Sequence, residues 1–407
     1  MSATINYAQA RRVLEIAAAS KTTQFLEGPP GVGKTALVES LVTDPTTKFG
    51  MVYRLFVPTH TEEDFSGFPQ VVESVAKDGT RMVERVPLAW FENIREWAKQ
   101  HSDQFAIVFI DELSAGQSGV QGAALALLNE RSVDNLKLPD NVLVVGALNP
   151  PDTAIGGSTL EAPVANRGGH WNLQPTADEV AEGLLTLWGR TDLTDKQKQL
   201  CAAVAAFIRD TSKQLLVVPE DANAQAGSWA SPRSWTNALK YAVEGIELFD
   251  DFGESDISLG FRAQVGQQAA ASFMAYYKGF RVPTPQDVLK GKTKNVEGRE
   301  VDIDWGEMPL GTAFAALLGL TVFVEDKLKG DEMQHSQKAT LAVLTAETLV
   351  KISSFNKLSS ATPAAQRLFK AHAAYNTLNL DDLDKHIKLP FKFLQTFGFA
   401  RAKAGLS

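Results

Sequence analysis

The sequence predicts an α/β fold, with a parallel sheet sandwiched by helices, followed by two regions built of helices alone. Over the first 175 residues or so, short β-rich runs alternate with helical stretches, as parallel sheets require. One run, Phe105–Ile110, is apolar throughout, which is typical of a central strand buried on both faces. After about Gln174, apolar residues recur at three- and four-residue spacing, which predicts helices.

Five runs in the first part of the chain are predicted to be strands of the sheet, because they are rich in β-branched and aromatic residues. In chain order they are Thr22–Gly28, Met51–Val57, Phe105–Ile110, Asn141–Leu148 and His170–Leu173. The segment Val71–Pro87 lies between the second and third runs and has Asp78-Gly79 between two alternating stretches. This pattern predicts a β-hairpin, inserted where a simple α/β unit has one helix.

The rest of the chain is predicted to be helical. The segment Val282–Glu300 is rich in proline, glycine and charge, which indicates a linker between two helical parts. Beyond it, Leu310–Val324 is the longest uncharged apolar run. This run is too short for a comfortable membrane span, so it predicts a buried helix.

Composition excludes some classes of protein. The chain has 407 residues, enough for two or three domains. Its 48 acidic and 40 basic residues give a net charge of −8, which disfavours a bulk electrostatic attraction to nucleic acid or to an anionic membrane. Cys201 is the only cysteine, which excludes an intrachain disulfide and a cysteine-based zinc cluster. With no signal-like apolar run near residue 1, we expect a reducing, cytoplasmic location.

The segment GPPGVGKT, Gly28–Thr35, predicts a phosphate-binding loop. It fits the pattern G-x-x-x-x-G-K-S/T and lies between a predicted strand and a predicted helix. The glycines let backbone N–H groups point at phosphate oxygens, and the following helix adds its dipole. The candidate nucleotide contacts are Gly28, Pro29, Pro30, Gly31, Val32, Gly33, Lys34 and Thr35. We expect Lys34 to reach the β- and γ-phosphates and the Thr35 hydroxyl to ligate Mg²⁺.

Polar residues end the third and fourth predicted strands. Asp111 and Glu112 follow FAIVFI at the carboxyl edge, where open α/β sheets bind ligands. We predict that Asp111 holds Mg²⁺ through water and that Glu112 polarises the attacking water as a general base. Asn149 ends the next strand, and we predict that its amide orients the same water. Each would be a turn residue in isolation, and the phosphate loop upstream favours the catalytic interpretation.

In this order, the motifs GPPGVGKT, FIDEL, GALNPPD, ANRGGHW and SPRSW resemble those of AAA+ ATPases, and most closely those of the MoxR-like branch. HTEEDFSGFP, His60–Pro69, resembles the segment that MoxR-like proteins carry after the second strand. The Val71–Pro87 hairpin resembles the insertion in the second helix that defines the wider group. The resemblance covers about Tyr7 to Val288.

The resemblance implies three domains and two functional arginines. Residues 1–175 would be the P-loop AAA+ nucleotide-binding domain, 176–290 a helical lid, and 291–407 a C-terminal helical extension. Arg167 in ANRGG matches the arginine finger, which contacts the γ-phosphate held by a neighbouring subunit, although many relatives have Asp-Arg-Phe there. Arg233 in SPRSW matches sensor 2, a lid arginine that reaches back to the phosphates. A surface arginine in a glycine-rich turn and an arginine in a first helical turn are the respective alternatives.

The resemblance also implies a ring, usually of six subunits, that hydrolyses ATP with Mg²⁺ at its interfaces. Such a ring would act as a remodelling chaperone on a protein client, with a partner that bears a von Willebrand factor A domain. Phe65 and Phe68 are candidate client contacts, or else core aromatics, and Arg131 is a candidate second contact across the interface. The alternative is an AAA+ ATPase working on nucleic acid as a motor, initiator or loader, which the net charge disfavours.

Overall fold

The computed structural model describes residues 2–73, 81–134, 136–150, 160–219, 221–294, 298–378 and 386–403. They belong to two compact units. Unit 1 comprises residues 1–176, 218–227 and 231–233, and unit 2 comprises residues 177–217, 228–230 and 234–407.

The strands and helices are numbered here in chain order. The strands are β1 (Ala3–Ile5), β2 (Gln24–Glu27), β3 (Phe49–Phe56), β4 (Phe68–Glu73), β5 (Arg81–Val86), β6 (Phe105–Asp111), β7 (Ser132–Val133), β8 (Leu136–Lys137), β9 (Val142–Leu148), β10 (Gly169–Leu173), β11 (Lys292–Lys294) and β12 (Glu300–Asp302). The helices are α1 (Tyr7–Ser20), α2 (Lys34–Thr43), α3 (Glu62–Ser66), α4 (Ala89–Gln100), α5 (Ser118–Glu130), α6 (Ala162–Ala165), α7 (Ala177–Leu185), α8 (Asp195–Asp210), α9 (Ala222–Gln225), α10 (Pro232–Leu248), α11 (Glu254–Val265), α12 (Gln267–Gly279), α13 (Pro285–Lys290), α14 (Leu310–Lys329), α15 (His335–Ile352), α16 (Leu358–Leu378) and α17 (Phe391–Lys403).

Unit 1 is built on a parallel sheet with strand order β1-β10-β2-β9-β6-β3. All five predicted strands are present, and the predicted P-loop α/β fold is confirmed. The central strand β9 is buried along its whole length, which explains its unbroken apolar run. Strand β1 was not predicted, because three residues at the edge of a sheet are too short to carry a pattern.

The predicted hairpin is confirmed in its two strands. β4 pairs antiparallel with β5, from Phe68 opposite Val86 to Glu73 opposite Arg81. The predicted turn Asp78-Gly79 lies outside the described residues, as do Pro151 and Asp152 of the GALNPPD motif. The two aromatic candidates beside the hairpin differ, because Phe65 is fully buried whereas Phe68 is 61% exposed.

Unit 2 is mostly helical, as predicted, and it also contains one antiparallel pair of strands, β11 and β12, which was not predicted. Helix α14 contains the apolar run Leu310–Val324 and packs against α8 and α16. The structure contradicts the predicted linker Val282–Glu300, because part of it forms α13, and Val288 of that helix is buried in the core with residues of α14–α17. Thr284 accepts a hydrogen bond from the Asp287 N–H and so caps α13, a local signal that outweighs the loop-like composition. The division of this region near residue 290 stays a prediction.

No helix in the described ranges is both long and apolar enough to cross a membrane.

Candidate functional site

The predicted site residues of unit 1 meet at one edge of the sheet. The loop Gly28–Thr35 follows β2, Asp111 is the last residue of β6, and Asn149 follows β9. The three strands are neighbours in the order β2-β9-β6, so their carboxyl ends place these residues side by side.

The loop has a backbone that glycine alone adopts without strain. Gly31 and Gly33 have φ of 80° and 100°, in the left-handed region. A Cβ would lie 2.6 Å from the Ser231 hydroxyl oxygen at Gly31, and 2.5 Å from the Tyr7 hydroxyl oxygen at Gly33. The Tyr7 hydroxyl also donates to the Val32 carbonyl at 2.7 Å, so the first residue of α1 holds the loop in place. Tyr7 is not among the residues predicted for this site.

Lys34 begins α2, and its side chain is almost entirely buried, with 6% exposed. Its Nζ donates to the Gly28 carbonyl at 2.5 Å and to Asn149 Oδ1 at 2.8 Å. Burial lowers the pKa of Lys34 to about 8; the charges of Glu112 and Asp111 oppose this effect, and that of Arg233 adds to it. The loop therefore holds a cation that is only partly compensated by the protein.

The Asp111 carboxylate is buried and accepts several hydrogen bonds. The Thr35 hydroxyl donates to Asp111 Oδ2 at 2.9 Å, and the Glu112 N–H donates to Oδ1 at 3.0 Å. An arginine absent from the sequence-based predictions, Arg54 on β3, places its Nη2 2.7 Å from the same Oδ2. Its only signal in the sequence is a single charge within the apolar run MVYRLFV.

Asn149 lies between the loop lysine and the second carboxylate. Its Oδ1 accepts from Lys34, and its Nδ2 donates to Glu112 Oε2. Glu112 has a left-handed backbone, with φ of 57°, a strained conformation that is common at functional sites. Burial raises the pKa of Glu112, and the positive charge of Lys34 acts in the opposite direction. A carboxylate with a raised pKa is suited to accept a proton near neutral pH.

The three arginines singled out in the sequence have different surroundings. Arg167 is exposed on the turn after α6, and its Nη1 donates to Asn129 Oδ1 at 3.0 Å. The Arg233 backbone N–H donates to the Gly31 carbonyl at 3.1 Å, and its charge affects the pKa of Lys34. Arg131 donates to the carbonyls of Pro139 at 2.7 Å and Val142 at 2.6 Å, which are structural hydrogen bonds within its own chain.

His170 connects the strand before the loop to the turn that carries Arg167. Its Nδ1 lies 2.5 Å from Glu27 Oε1, and its Nε2 lies 2.7 Å from the Ala165 carbonyl. Both partners are hydrogen-bond acceptors, so His170 joins the two segments through its ring nitrogens. Neither His170 nor Glu27 is among the predicted site residues.

The site residues fit ATP with Mg²⁺. The Thr35 hydroxyl donates its hydrogen bond to Asp111, which leaves the lone pairs of the hydroxyl oxygen for a cation. Among the described residues, no group of three or more His, Cys, Asp or Glu side chains could hold a metal by itself. A cation here would need phosphate oxygens and water to complete its ligands, which is how Mg²⁺ binds at nucleotide sites.

Comparison with known families agrees with this geometry. Residues 24–167 match the model of the AAA domain of the dynein-related subfamily. The chain carries an AAA+ ATPase domain. The AAA+ domain hydrolyses ATP and uses Mg²⁺ with it. Residues 1–46, which include α1 and the phosphate loop, also match the model of magnesium chelatase subunit ChlI.

Solved structures similar to this chain are distant. A "putative ATPase" from Cytophaga hutchinsonii is 17% identical, with 65% of this chain and 82% of that chain covered and a TM-score of 0.32. A point mutant of Thermotoga maritima RuvB is 14% identical, with coverages of 70% and 74% and a TM-score of 0.36. NtrX from Brucella abortus is 13% identical, with coverages of 86% and 67% and a TM-score of 0.33. Likenesses of this degree do not indicate function. No curated protein matches the chain significantly.

Proposed function

We propose that the protein is a MoxR-like AAA+ ATPase that works as an oligomeric ring and remodels or activates a protein client. The observation that carries the chemistry is the convergence of Lys34, Asn149 and Glu112 through direct hydrogen bonds. The ring and the client rest on the resemblance and on two exposed features, which are the Arg167 turn and the β4–β5 hairpin.

The residues of the loop would bind the triphosphate. Lys34 would exchange the Gly28 carbonyl and Asn149 for phosphate oxygens, which are better partners for a buried ammonium. Thr35 and Asp111 would hold Mg²⁺, which when bound neutralises charge on the β- and γ-phosphates.

Glu112 and Asn149 would then act on the attacking water. Once Lys34 donates to phosphate, Asn149 Oδ1 is free to accept from a water, while its Nδ2 keeps Glu112 in place. Glu112 would accept the proton of that water as it attacks. Arg233, whose charge already acts on the Lys34 pKa, would contact the phosphates as sensor 2.

Arg167 would complete the site of a neighbouring subunit. In this chain its guanidinium donates to Asn129 and is exposed. The side chain could therefore enter the nucleotide site of a second copy without any helix or strand unfolding. A guanidinium placed there would stabilise charge in the transition state. AAA+ rings place their nucleotides at such interfaces, and a homo-hexamer is the expected assembly.

The hairpin favours a protein client over a nucleic acid. Its exposed side chains include five large apolar residues: Phe68, Val71, Met82, Val83 and Val86. Exposed apolar side chains grouped on a two-stranded element are typical of protein contacts, whereas single-stranded nucleic acid needs basic grooves with stacking aromatics. The von Willebrand factor A partner is proposed on the family resemblance.

Mixing two inactive variants tests the shared active site. Lys34→Ala should lose ATP binding, and Arg167→Ala should bind ATP but hydrolyse little. In randomly mixed rings, about a quarter of interfaces would join an intact loop to an intact Arg167, so ATPase activity should partly return. Activity in Arg167→Ala alone at the wild-type rate, or none in the mixture although mixed oligomers form, would contradict the proposal.

A trapped variant tests the client. Glu112→Gln should bind ATP without hydrolysing it and accumulate as a ring, measurable by light scattering. Expressed in the native host, it should co-purify with a protein in an ATP-dependent manner, and Phe68→Ser in the same background should reduce that recovery. The double variant with Lys34→Ala is the control. Recovery of nucleic acid alone would overturn the protein-client proposal.

A further inference from the structure

A positively charged side chain of the protein itself contacts the Asp111 carboxylate. Arg54 Nη2 lies 2.7 Å from Asp111 Oδ2, the oxygen to which Thr35 also donates. Strand register explains the contact, because β3 pairs with β6 and Phe56 is opposite Asp111, with Arg54 two residues earlier on the same strand face. The guanidinium compensates a carboxylate whose side chain is only 3% exposed.

We propose that Arg54 is a positioning residue that competes with Mg²⁺ for Asp111 and so sets the Mg²⁺ concentration at which the site loads ATP. The inference rests on the proposed role of Asp111 at the metal. A guanidinium at the same carboxylate oxygen would repel a divalent cation or any water that it polarises. Mg²⁺ therefore binds at the cost of the Arg54–Asp111 ion pair.

The arginine can give way without unfolding its strand. Its side chain is 44% exposed, and β3 lies at the edge of the sheet. Its guanidinium carbon is 5.4 Å from the centre of the Phe56 ring, which offers a cation–π contact when the carboxylate is lost. Because the arginine is half-exposed, a bound cation can replace it at the carboxylate without leaving the guanidinium buried and unpaired.

The two states of the site follow from this exchange. Without metal, Arg54 keeps the buried carboxylate compensated and directed at Thr35, which spares the free protein an unpaired buried charge. With metal, the same pair is an energetic cost of loading. Removing the positive charge at position 54 should therefore weaken the free protein and tighten Mg²⁺ binding, two effects of opposite sign.

The test measures Mg²⁺-dependent binding of a fluorescent ATP analogue to the full chain, in a Glu112→Gln background that prevents hydrolysis. Arg54→Gln should lower the half-saturating free Mg²⁺ concentration about fivefold, the upper end of what an ion pair with one exposed partner contributes. Arg54→Lys keeps the charge and should stay within about twofold of the parent. In EDTA without nucleotide, the unfolding midpoint of Arg54→Gln should fall by about 2–4 °C.

Arg11→Gln is the matched control, because Arg11 pairs with Asp44 in the same unit and does not contact Asp111. It should lower the unfolding midpoint and leave the Mg²⁺ dependence unchanged. If Arg54→Gln does not fold, Arg54→Met carries the same expectation and keeps the aliphatic stem. An unchanged or raised half-saturating Mg²⁺ concentration overturns the inference.

Asp111→Asn separates this inference from the role on which it depends. If Asp111→Asn leaves the Mg²⁺ dependence unchanged, the metal-facing role of Asp111 is wrong, and the inference fails with it. If Asp111→Asn weakens Mg²⁺ binding while Arg54→Gln does not tighten it, only the competition by Arg54 is wrong.

Discussion

ATP binding should weaken as the pH rises above 8, because the loop lysine loses its proton there. The pKa of Lys34 is lowered from 10.5 to about 8 in the free protein. This lowering corresponds to roughly 3 kcal/mol against the charged form. Phosphate oxygens favour the charged form, so bound nucleotide should raise the pKa again and recover part of that free energy.

The sign of the effect follows from proton counting. Well below pH 8, Lys34 is charged in both states, and affinity does not depend on its titration. Above pH 8 the free protein has lost the proton that the complex retains, so affinity should fall about tenfold between pH 7 and pH 9. The stability of the free protein should change in the opposite direction and rise between about pH 8 and pH 10.5. In that range the folded protein has released the Lys34 proton, whereas the unfolded chain still holds it.

Isothermal titration calorimetry can measure the ATP affinity and the number of protons taken up on binding. The titrations would use a non-hydrolysable ATP analogue, saturating Mg²⁺ and two buffers of different ionisation enthalpy. At pH 8.5, binding should take up about 0.75 proton, and at pH 7 about 0.1. Lys34→Arg is the control, because a guanidinium stays charged over this range and should take up none. A pH-independent affinity with no proton uptake in the wild-type protein would refute the reasoning.

Asn149, Gly33 and Val288 each make a contact that a single substitution can remove or disturb. Asn149→Ala should lower kcat about 100-fold and change ATP affinity little, since it removes a preorganised polar group whose partner Lys34 gains phosphate instead. Gly33→Ala should destabilise unit 1 by at least about 1–2 kcal/mol and abolish nucleotide binding, since φ is 100° and the new methyl meets the Tyr7 hydroxyl. Val288→Ala should lower the free energy of unfolding by about 2 kcal/mol in urea denaturation, because Val288 is only 2% exposed.

Each of these has an outcome that contradicts it. Wild-type turnover in Asn149→Ala would exclude its role at the attacking water, with steady-state kinetics and equilibrium binding as the measurements. Adding Tyr7→Phe to Gly33→Ala should restore part of the melting temperature by removing the clashing hydroxyl, and no recovery would assign the loss to backbone strain alone. A Val288→Ala protein as stable as the wild type would mean that α13 is not part of the core.

Local patterns predicted most of the fold of unit 1 and the residue types at its site. A parallel strand buried on both faces is apolar wherever it occurs, so the runs that became β6 and β9 were visible without their neighbours. The backbone of the phosphate loop needs glycine at fixed positions, so the loop can be identified from a short stretch of adjacent residues. The linker prediction was wrong because the composition of Val282–Glu300 is loop-like, whereas the cap at Thr284 and the buried Val288 stabilise α13.

Neighbouring residues along the chain were enough to predict most helices, the inner strands of the sheet and the residues that could bind a nucleotide, because each of these depends on local patterns. Which side chains from distant segments meet depends on the tertiary structure. The pairing of β3 with β6 places Arg54 against Asp111, and the fold directs the Arg131 guanidinium to carbonyls of its own chain. It also lowered the pKa of Lys34 by burying it. Such contacts depend on strand order and burial, which result from packing the whole unit and leave no pattern among adjacent residues.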